Sequence, residues 1–156
     1  MPRTEYFNDP NAPRANSIVV AVTAFVLNPA DELLMIQRSD NGLWAIPGGA
    51  QDIGEYISET VVRETREETG IDVEVTGLVG IYTNPNHVMA YDDGEVRQQF
   101  SLCFRAMPVG GELHTSSEST RVRWVSPSNL AGLEIHPSIR LRIEHGYANR
   151  SEPYIG

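Results

Sequence analysis

Cysteine, basic residues and long apolar runs are scarce in this sequence, and each scarcity excludes a class of protein. The one cysteine, Cys103, cannot form an intrachain disulfide, and its apolar neighbours predict a small buried side chain. No apolar run reaches the ~18 residues of a membrane span, and the first residues lack the apolar centre of a signal peptide. We therefore expect a soluble, cytoplasmic protein with no membrane partner. The 21 acidic residues outnumber the 12 basic ones, which argues against a nucleic acid polymer as partner.

The length of 156 residues fits one compact domain. Residues 1–17 are polar and contain three prolines, which predicts an N-terminal arm or a frayed terminus. Contact of this arm with a partner subunit is the alternative. We place the single domain at residues 18–148 and a C-terminal tail at residues 149–156.

Apolar and alternating segments predict strands on both sides of one central helix. Residues 18–27 and 32–38 are expected to form a hairpin around a turn at residues 28–31. Further strands are predicted at residues 73–79, 81–83, 96–107 and 121–125. Together with a helical tail, this order predicts an α/β fold with a mixed sheet.

Polar segments and capping patterns organise the rest of the chain. Residues 84–95 predict a polar loop of about a dozen residues, a length typical of a functional loop or lid. A second polar loop at residues 114–120 leads into the last strand. The pair Ser126-Pro127 predicts a short helix, and a second helix is expected to begin at His136-Pro137 and to end at Gly146.

The central helix carries an unusual concentration of charge. Residues 49–71 hold five glutamates and two arginines between glycines. In a helix, Glu64, Glu67 and Glu68 are spaced i, i+3 and i+4, so they point to one face, where like charges repel. A hard divalent cation such as Mg²⁺ makes that arrangement favourable, because it prefers oxygen ligands and leaves positions for substrate phosphates. The apolar stripe of Ile57, Val61, Val62 and Thr65 is expected to face the core, and Gly70 to cap the helix.

This segment resembles the signature of the Nudix hydrolases: a glycine, five residues, a glutamate, seven residues, then R-E-U-x-E-E-x-G-U with U aliphatic. The seven fixed letters are matched here by Gly49, Glu55, Arg63, Glu64, Glu67, Glu68 and Gly70. Thr65 replaces the first aliphatic residue, a change that keeps the β-branched shape and adds a hydroxyl. The resemblance implies a Nudix-like α/β/α sandwich with a central mixed β-sheet.

The same resemblance implies a metal site that activates a diphosphate for attack by water. Mg²⁺ is the expected cofactor, with Mn²⁺ as a substitute. The expected ligands are Glu64, Glu67, Glu68 and the backbone carbonyl of Gly49. Glu67 and Glu68 are also expected to be catalytic, with Arg63 and Glu55 in support of the ligands.

Further candidates lie outside the signature. Some members of the family use a glutamate from the loop before the last core strand as ligand or general base, and Glu118 is the candidate here. Glu112 and Glu95 are its rivals, and a solvated loop acid is the alternative interpretation. None of the histidines shows the spacing of zinc ligands.

Three residues are candidates for substrate binding. Arg38, at the end of a predicted strand, can bind a phosphate, although a surface arginine is the alternative. His87 and Tyr91, in the long polar loop, can stack on a base or bind a sugar, and simple exposure is their alternative.

The resemblance implies hydrolysis of a diphosphate linkage in a nucleoside diphosphate joined to another group. Pro85, fourteen residues beyond Ile71, gives a slight lean to ADP-ribose or a nucleotide sugar. A nucleoside triphosphate pyrophosphohydrolase is the alternative enzyme, and a module that senses nucleotides without cleaving them is a second alternative. An isomerase of this fold is disfavoured, because it calls for a catalytic cysteine and Cys103 lies in an apolar segment. The expected partners are a small nucleotide and, by the resemblance, a second copy in a homodimer.

Overall fold

A computed structural model describes residues 3–156 of the chain. Strands and helices follow one another in this order: β1 (Arg3–Phe7), β2 (Ser17–Ile18), β3 (Ala21–Val26), β4 (Leu33–Arg38), β5 (Trp44–Ala45), β6 (Gly48–Ala50), α1 (Ile57–Thr69), β7 (Ile71–Tyr82), β8 (His87–Tyr91), β9 (Val96–Gln98), β10 (Ser101–Gly111), β11 (Ser119–Val125), α2 (Pro127–Leu130), α3 (Pro137–Ala148) and β12 (Tyr154–Ile155). Within this range, no helix is both long and apolar enough to cross a membrane.

The strands form three sheets. A mixed five-stranded sheet has the order β12-β7-β10-β3-β6, in which β10 is parallel to β3 and antiparallel to β7. A three-stranded sheet has the order β11-β4-β5, and a four-stranded sheet has the order β1-β8-β9-β2. The carboxylate-bearing helix α1 packs on β7, β6 and β3.

Strand β3 separates two hydrophobic cores. Ala24 and Val26 face a core that contains Val61 of α1, whereas Phe25 faces a second core that contains Ile143 of α3. The alternation follows from the strand itself, since successive side chains point to opposite faces. Helices therefore cover both faces of the sheet, and the predicted α/β/α sandwich with a mixed sheet is confirmed.

Helix α1 ends at Gly70, as the sequence predicts, and buries part of the predicted stripe. At its start, the Glu59 carboxylate accepts a hydrogen bond of 2.7 Å from the Tyr56 backbone N–H. Val61 and Thr65 of the predicted stripe are fully buried. At its end, Gly70 has φ 81°, a left-handed conformation that favours glycine.

The predicted hairpin between residues 18–27 and 32–38 is wrong. Pairing stops at the turn, with one bridge between Leu27 and Leu33, and the strands then enter different sheets. Strand β3 pairs with β10 and β6, whereas β4 pairs with β11 and β5. Residues 33–36 are all buried, so β4 packs against neighbouring layers on both of its faces. An isolated two-stranded hairpin would leave one of these faces exposed.

The predicted polar loop at residues 84–95 is also wrong, because it contains strand β8. Residues 92–94 form a tight turn into β9, closed by a 3.1 Å hydrogen bond from the Gly94 N–H to the Tyr91 carbonyl. On its other side β8 pairs with β1, so residues 3–7 of the predicted N-terminal arm are a strand of this chain's own sheet. The polar residues at both ends of the segment are typical of a loop. The short strand between them cannot be predicted from local sequence, because its partner β1 is remote in the chain.

The second half of the chain departs from prediction in smaller ways. The strands expected at residues 73–79 and 81–83 are one long strand, β7, and the strand expected at residues 96–107 is divided into β9 and β10. Cys103 is fully buried, as predicted. Helix α3 continues past Gly146 and ends at Asn149, which has φ 47°. Gly146 lies against the Phe25 ring, so its small size serves packing.

Candidate active site

Two glycines of β6 bring this strand close to its neighbours. An ideal Cβ at Gly48 would lie 2.1 Å from the Val22 carbonyl oxygen, and one at Gly49 would lie 2.3 Å from Glu64 Cδ. Real Cβ atoms do not approach other atoms so closely, hence any larger residue at Gly49 would displace the Glu64 carboxylate. Gly48 thus allows β6 to lie close to β3, and Gly49 allows it to lie close to the acidic face of α1.

Four glutamates border one cavity of about 390 Å³, which we call the carboxylate cavity. The glutamates of α1 differ in exposure: the Glu67 side chain is 58% exposed and that of Glu64 14%, whereas residue Glu68 is only 5% exposed. The residues that line the cavity are Gly49, Ala50, Glu64, Glu67, Glu68, Ser116, Ser117 and Glu118. The structure thus brings together the glutamates predicted as metal ligands and Glu118.

Burial and like charges make the cavity unfavourable for negative charge. Burial raises the pKa of Glu68 to about 8, opposed by a hydrogen bond from the Gly48 N–H and assisted by the charges of Glu64 and Glu118. Burial also raises the pKa of Glu64, against the effect of the Arg63 guanidinium. Two carboxylates whose pKa is raised in this way, Glu64 and Glu68, fit a hard divalent cation, because the cation supplies the missing positive charge.

Arg63 connects the acidic residues around the cavity. Its Nε lies 2.7 Å from a Glu55 carboxylate oxygen, and its Nη1 lies 2.8 Å from Glu64 Oε1 and 3.3 Å from Glu67 Oε2. Its Nη2 donates to the Ala50 carbonyl at 3.1 Å. The hydrogen bonds from Arg63 lower the pKa of Glu55 to about 2, so this carboxylate stays ionised as a partner. The network fixes the side chain of Glu64 between helix and strand.

The loop before β11 places Glu118 opposite α1. The Glu118 backbone N–H donates to Ser116 Oγ at 3.2 Å, and the Ser119 hydroxyl donates to the Glu68 carbonyl at 3.3 Å, which ties the loop to the end of the helix. The rivals lie elsewhere: Glu95 pairs with Arg97 at 2.7 Å, and neither Glu95 nor Glu112 lines the carboxylate cavity. Position therefore favours Glu118.

A wider cleft of about 570 Å³ adjoins the carboxylate cavity and shares Gly49, Glu68 and Glu118 with it. Arg38 and Tyr91 also line this cleft. Two hydrogen bonds, of 2.9 and 2.8 Å, join the Arg38 guanidinium to Asp40 and hold it at the cleft. The guanidinium of Arg97, which sequence reasoning missed, lies 4.5 Å from the centre of the Tyr91 ring.

His87 is buried, so its interpretation as a merely exposed residue is wrong. It lines a third cavity of about 130 Å³, the inner cavity, which also reaches Gly49 and Glu68. Its ring stacks on the ring of His136 and hydrogen-bonds to Glu5. Sequence reasoning missed Glu5 and His136, since nothing in the local pattern indicates that β1 pairs with β8.

Known proteins and a family model resemble this chain in sequence. Residues 18–144 match the family model described as the NUDIX domain. A MutT-like protein of Streptomyces ambofaciens is 41% identical over 112 residues, which cover 72% of this chain and 66% of that protein. A putative 8-oxo-dGTP diphosphatase of Bacillus subtilis is 32% identical over 105 residues, which cover 67% and 64% of the two chains. The match thus spans slightly less than two thirds of each relative's length.

Solved structures agree on the fold. The crystal structure of an ADP-ribose pyrophosphatase from Streptococcus suis superimposes with a TM-score of 0.69. The match covers 90% of this chain and all of that chain at 23% identity. At this identity the likeness establishes the fold and leaves the substrate open.

Proposed function

Because this chain belongs to the NUDIX family, we propose that it is a metal-dependent hydrolase that cleaves a diphosphate linkage in a nucleoside diphosphate joined to another group. One observation carries the proposal: Glu64, Glu67, Glu68 and Glu118 border one cavity that opens into the wider cleft. If the glutamates of α1 formed only a solvated helix face, Glu68 would be exposed to solvent. It is only 5% exposed, which argues against that alternative.

We propose that Glu64, Glu67 and Glu68, together with the Gly49 carbonyl, hold Mg²⁺ or Mn²⁺. When bound, such a cation would neutralise charge on the phosphate oxygens and so make the phosphorus atom more susceptible to attack by water. Arg63 contributes as a positioning residue, because its hydrogen bond to Glu64 fixes the orientation of a ligand. Glu55 in turn holds Arg63 through two hydrogen bonds of 2.7 and 3.0 Å.

Two further residues complete the proposed chemistry. Glu118 accepts a proton from the attacking water at its carboxylate, a role that its place on the cavity wall supports. Arg38 binds a phosphate oxygen of the substrate, since its guanidinium lines the same cleft as Glu68. Asp40 orients Arg38 through its two hydrogen bonds.

The identity of the group joined to the diphosphate is supported by fewer observations. The lean to ADP-ribose or a nucleotide sugar rests on Pro85, which is exposed in the turn before β8 and lines none of the three cavities described. The alternative, a nucleoside triphosphate pyrophosphohydrolase, is supported by the name of the Bacillus relative, a putative 8-oxo-dGTP diphosphatase. A homodimer stays a prediction.

The test is metal-dependent turnover of a substrate panel. The panel contains nucleoside triphosphates, ADP-ribose and nucleotide sugars, with a phosphatase step that makes every product visible as phosphate. We expect one class to be hydrolysed with Mg²⁺ or Mn²⁺, and Glu68→Gln to lower the turnover by about 100-fold or more. Glu118→Gln should slow turnover by roughly 10²-fold without changing the preferred class.

The matched control is Glu74→Gln, which makes the same change at an exposed position of β7. Near-normal turnover by Glu68→Gln in saturating Mg²⁺ would contradict the metal site, and an unaffected Glu118→Gln variant would place the base elsewhere. Silence of the wild type across the panel would favour the nucleotide-sensing module.

A further inference from the structure

Strand β1 contributes to the inner cavity although it precedes the region that matches the family model, residues 18–144. Arg3 and Glu5 both line this cavity, together with Gly49 and Glu68 of the proposed catalytic site. The inner cavity therefore extends from Glu68 into a space whose charged wall includes two residues of the N-terminal strand. Glu68 therefore shares one cavity with Arg3 and Glu5.

Glu5 is held as an ionised acceptor. Its carboxylate accepts a hydrogen bond from His87 Nε2, and Arg3 Nη2 lies 3.9 Å from its second oxygen. Burial by itself would raise the pKa of Glu5, but the His87 hydrogen bond and the charge of Arg3 lower it to about 2. The side chain remains 18% exposed, so a ligand can reach it. An ionised carboxylate accepts hydrogen bonds and donates none.

The two histidines beside Glu5 raise the question of a metal ion, because one ligand atom from each of the three residues lies within 4.8 Å of the others. The hydrogen bonds of His136 argue against it. The Ser138 backbone N–H donates to His136 Nδ1 at 3.1 Å, so in the neutral ring Nε2 carries the proton. That Nε2 lies 3.8 Å from Glu5 and presents a proton where a metal ion needs a lone pair.

The remainder of the inner cavity suits a flat heterocycle. Its volume is about 130 Å³, whereas one water molecule needs only ~10–15 Å³. The larger apolar side chains on its wall include Leu43, Trp44, Ile46, Met89 and Ile139. The apolar faces of a base suit these side chains, and the polar edge of the base can reach the charged residues of the same cavity.

Two buried arginine donors complete the wall. The Nε atoms of Arg3 and Arg142 are buried without a hydrogen-bond partner, and both residues line the inner cavity. Arg142 is 1% exposed and donates from Nη1 to the Ser138 carbonyl at 2.7 Å. The wall thus offers a fixed acceptor, Glu5, and beside it the partly exposed guanidinium of Arg3, with Nη2 3.9 Å from the carboxylate.

We propose that Glu5 is a specificity-determining residue that selects a base with two adjacent N–H donors, as guanine has and adenine lacks. Arg3 donates to the carbonyl next to those donors. His87 acts as a positioning residue that holds the Glu5 carboxylate. This inference rests on the proposed function, since it assigns the inner cavity to the nucleoside half of the diphosphate substrate. It favours a guanosine nucleotide and therefore departs from the lean to ADP-ribose, whose base is adenine.

The test measures binding separately from turnover. Guanosine and adenosine triphosphate analogues with a methylene bridge between the α and β phosphorus atoms resist cleavage there, and their dissociation constants can be measured by titration calorimetry with Mg²⁺. We expect the wild type to bind the guanosine analogue at least tenfold more tightly. Glu5→Gln should weaken guanosine binding by about tenfold or more, since the amide replaces one acceptor oxygen with a donor that opposes an N–H of the base.

Glu144→Gln is the matched control, because Glu144 is exposed on α3 and lines none of the cavities described. If Glu5→Gln fails to fold, Glu5→Asp keeps the charge and withdraws it by one methylene, so a partial loss of the preference is expected. Folding of each variant is checked by thermal melting.

Equal affinity of the wild type for both analogues would overturn the inference, as would a guanosine preference that survives Glu5→Gln. Equal weakening of both analogues by Glu5→Gln would show that Glu5 contacts the shared ribose and would also overturn it. A wild type that binds guanosine selectively but hydrolyses nothing in the panel would contradict the proposed function alone.

Discussion

At the residue scale, Glu68 shows the conflict between stability and the proposed function. It is 5% exposed, and the neighbours that affect its charge are one donor, the Gly48 N–H at 3.2 Å, the like charges of Glu64 and Glu118, and the more distant Arg38. Burying a carboxylate with so little compensation destabilises a fold. A divalent cation removes the conflict, which is why the burial of Glu68 indicates a ligand.

Gly49 provides a prediction at this scale. Gly49→Ala should weaken Mg²⁺ binding by about 10–100-fold, because the new Cβ would lie 2.3 Å from Glu64 Cδ and displace that carboxylate. Isothermal titration calorimetry measures the change in the dissociation constant for Mg²⁺. The control is Gly77→Ala on β7, where an added Cβ meets nothing within 4 Å. Equal Mg²⁺ affinity in wild type and Gly49→Ala would show that Glu64 is not a ligand.

At the scale of elements, local sequence patterns predict the end of α1 correctly but not the end of α3. In α1 the charged face, the buried stripe and the Gly70 cap all follow from spacing along the chain. In α3 the glycine that resembles a helix end lies within the helix, where its lack of a side chain admits the Phe25 ring. Packing across the core therefore overrides the local stop signal.

Gly146→Ala tests this interpretation of α3. Helix propensity alone predicts stabilisation by ~0.5–1 kcal/mol, whereas a Cβ 2.4 Å from Phe25 Cδ2 overpacks the core. We expect a net loss of ~1–3 kcal/mol in the free energy of unfolding, measured by urea denaturation. Glu144→Ala, at an exposed position of the same helix, is the control. A more stable Gly146→Ala protein would mean that packing does not limit this position.

At the scale of the whole molecule, the proposed catalytic site joins segments that are far apart in sequence. The cavities around Glu68 receive residues from β1, β4, β6, α1, β8, the loop before β11 and α3. Binding at such a site holds these elements together and is coupled to global unfolding, because the unfolded chain does not present the same set of ligands.

Metal binding should therefore raise the melting temperature. At 100 times the dissociation constant, Mg²⁺ stabilises the native state by ~2.7 kcal/mol, which corresponds to about 5–10 °C for a chain of this size. Differential scanning calorimetry with and without Mg²⁺, at matched ionic strength, measures the shift. Glu68→Gln should reduce it. An equal shift in that variant would place the cation elsewhere, and no shift would argue that the carboxylate cavity is empty.

The sequence by itself indicated the family and the sandwich through its resemblance to the Nudix signature. It also determined the shared face of Glu64, Glu67 and Glu68, because helical spacing and caps act over a few residues. It also identified Glu118 as a candidate, through its place in a loop. Only the tertiary structure decided which strands pair and how deeply each carboxylate is buried. Glu5 and His87, for instance, are 82 residues apart and meet because β1 and β8 are neighbours in a sheet. Strand pairing depends on the order of the whole sheet, which a short-range pattern does not contain.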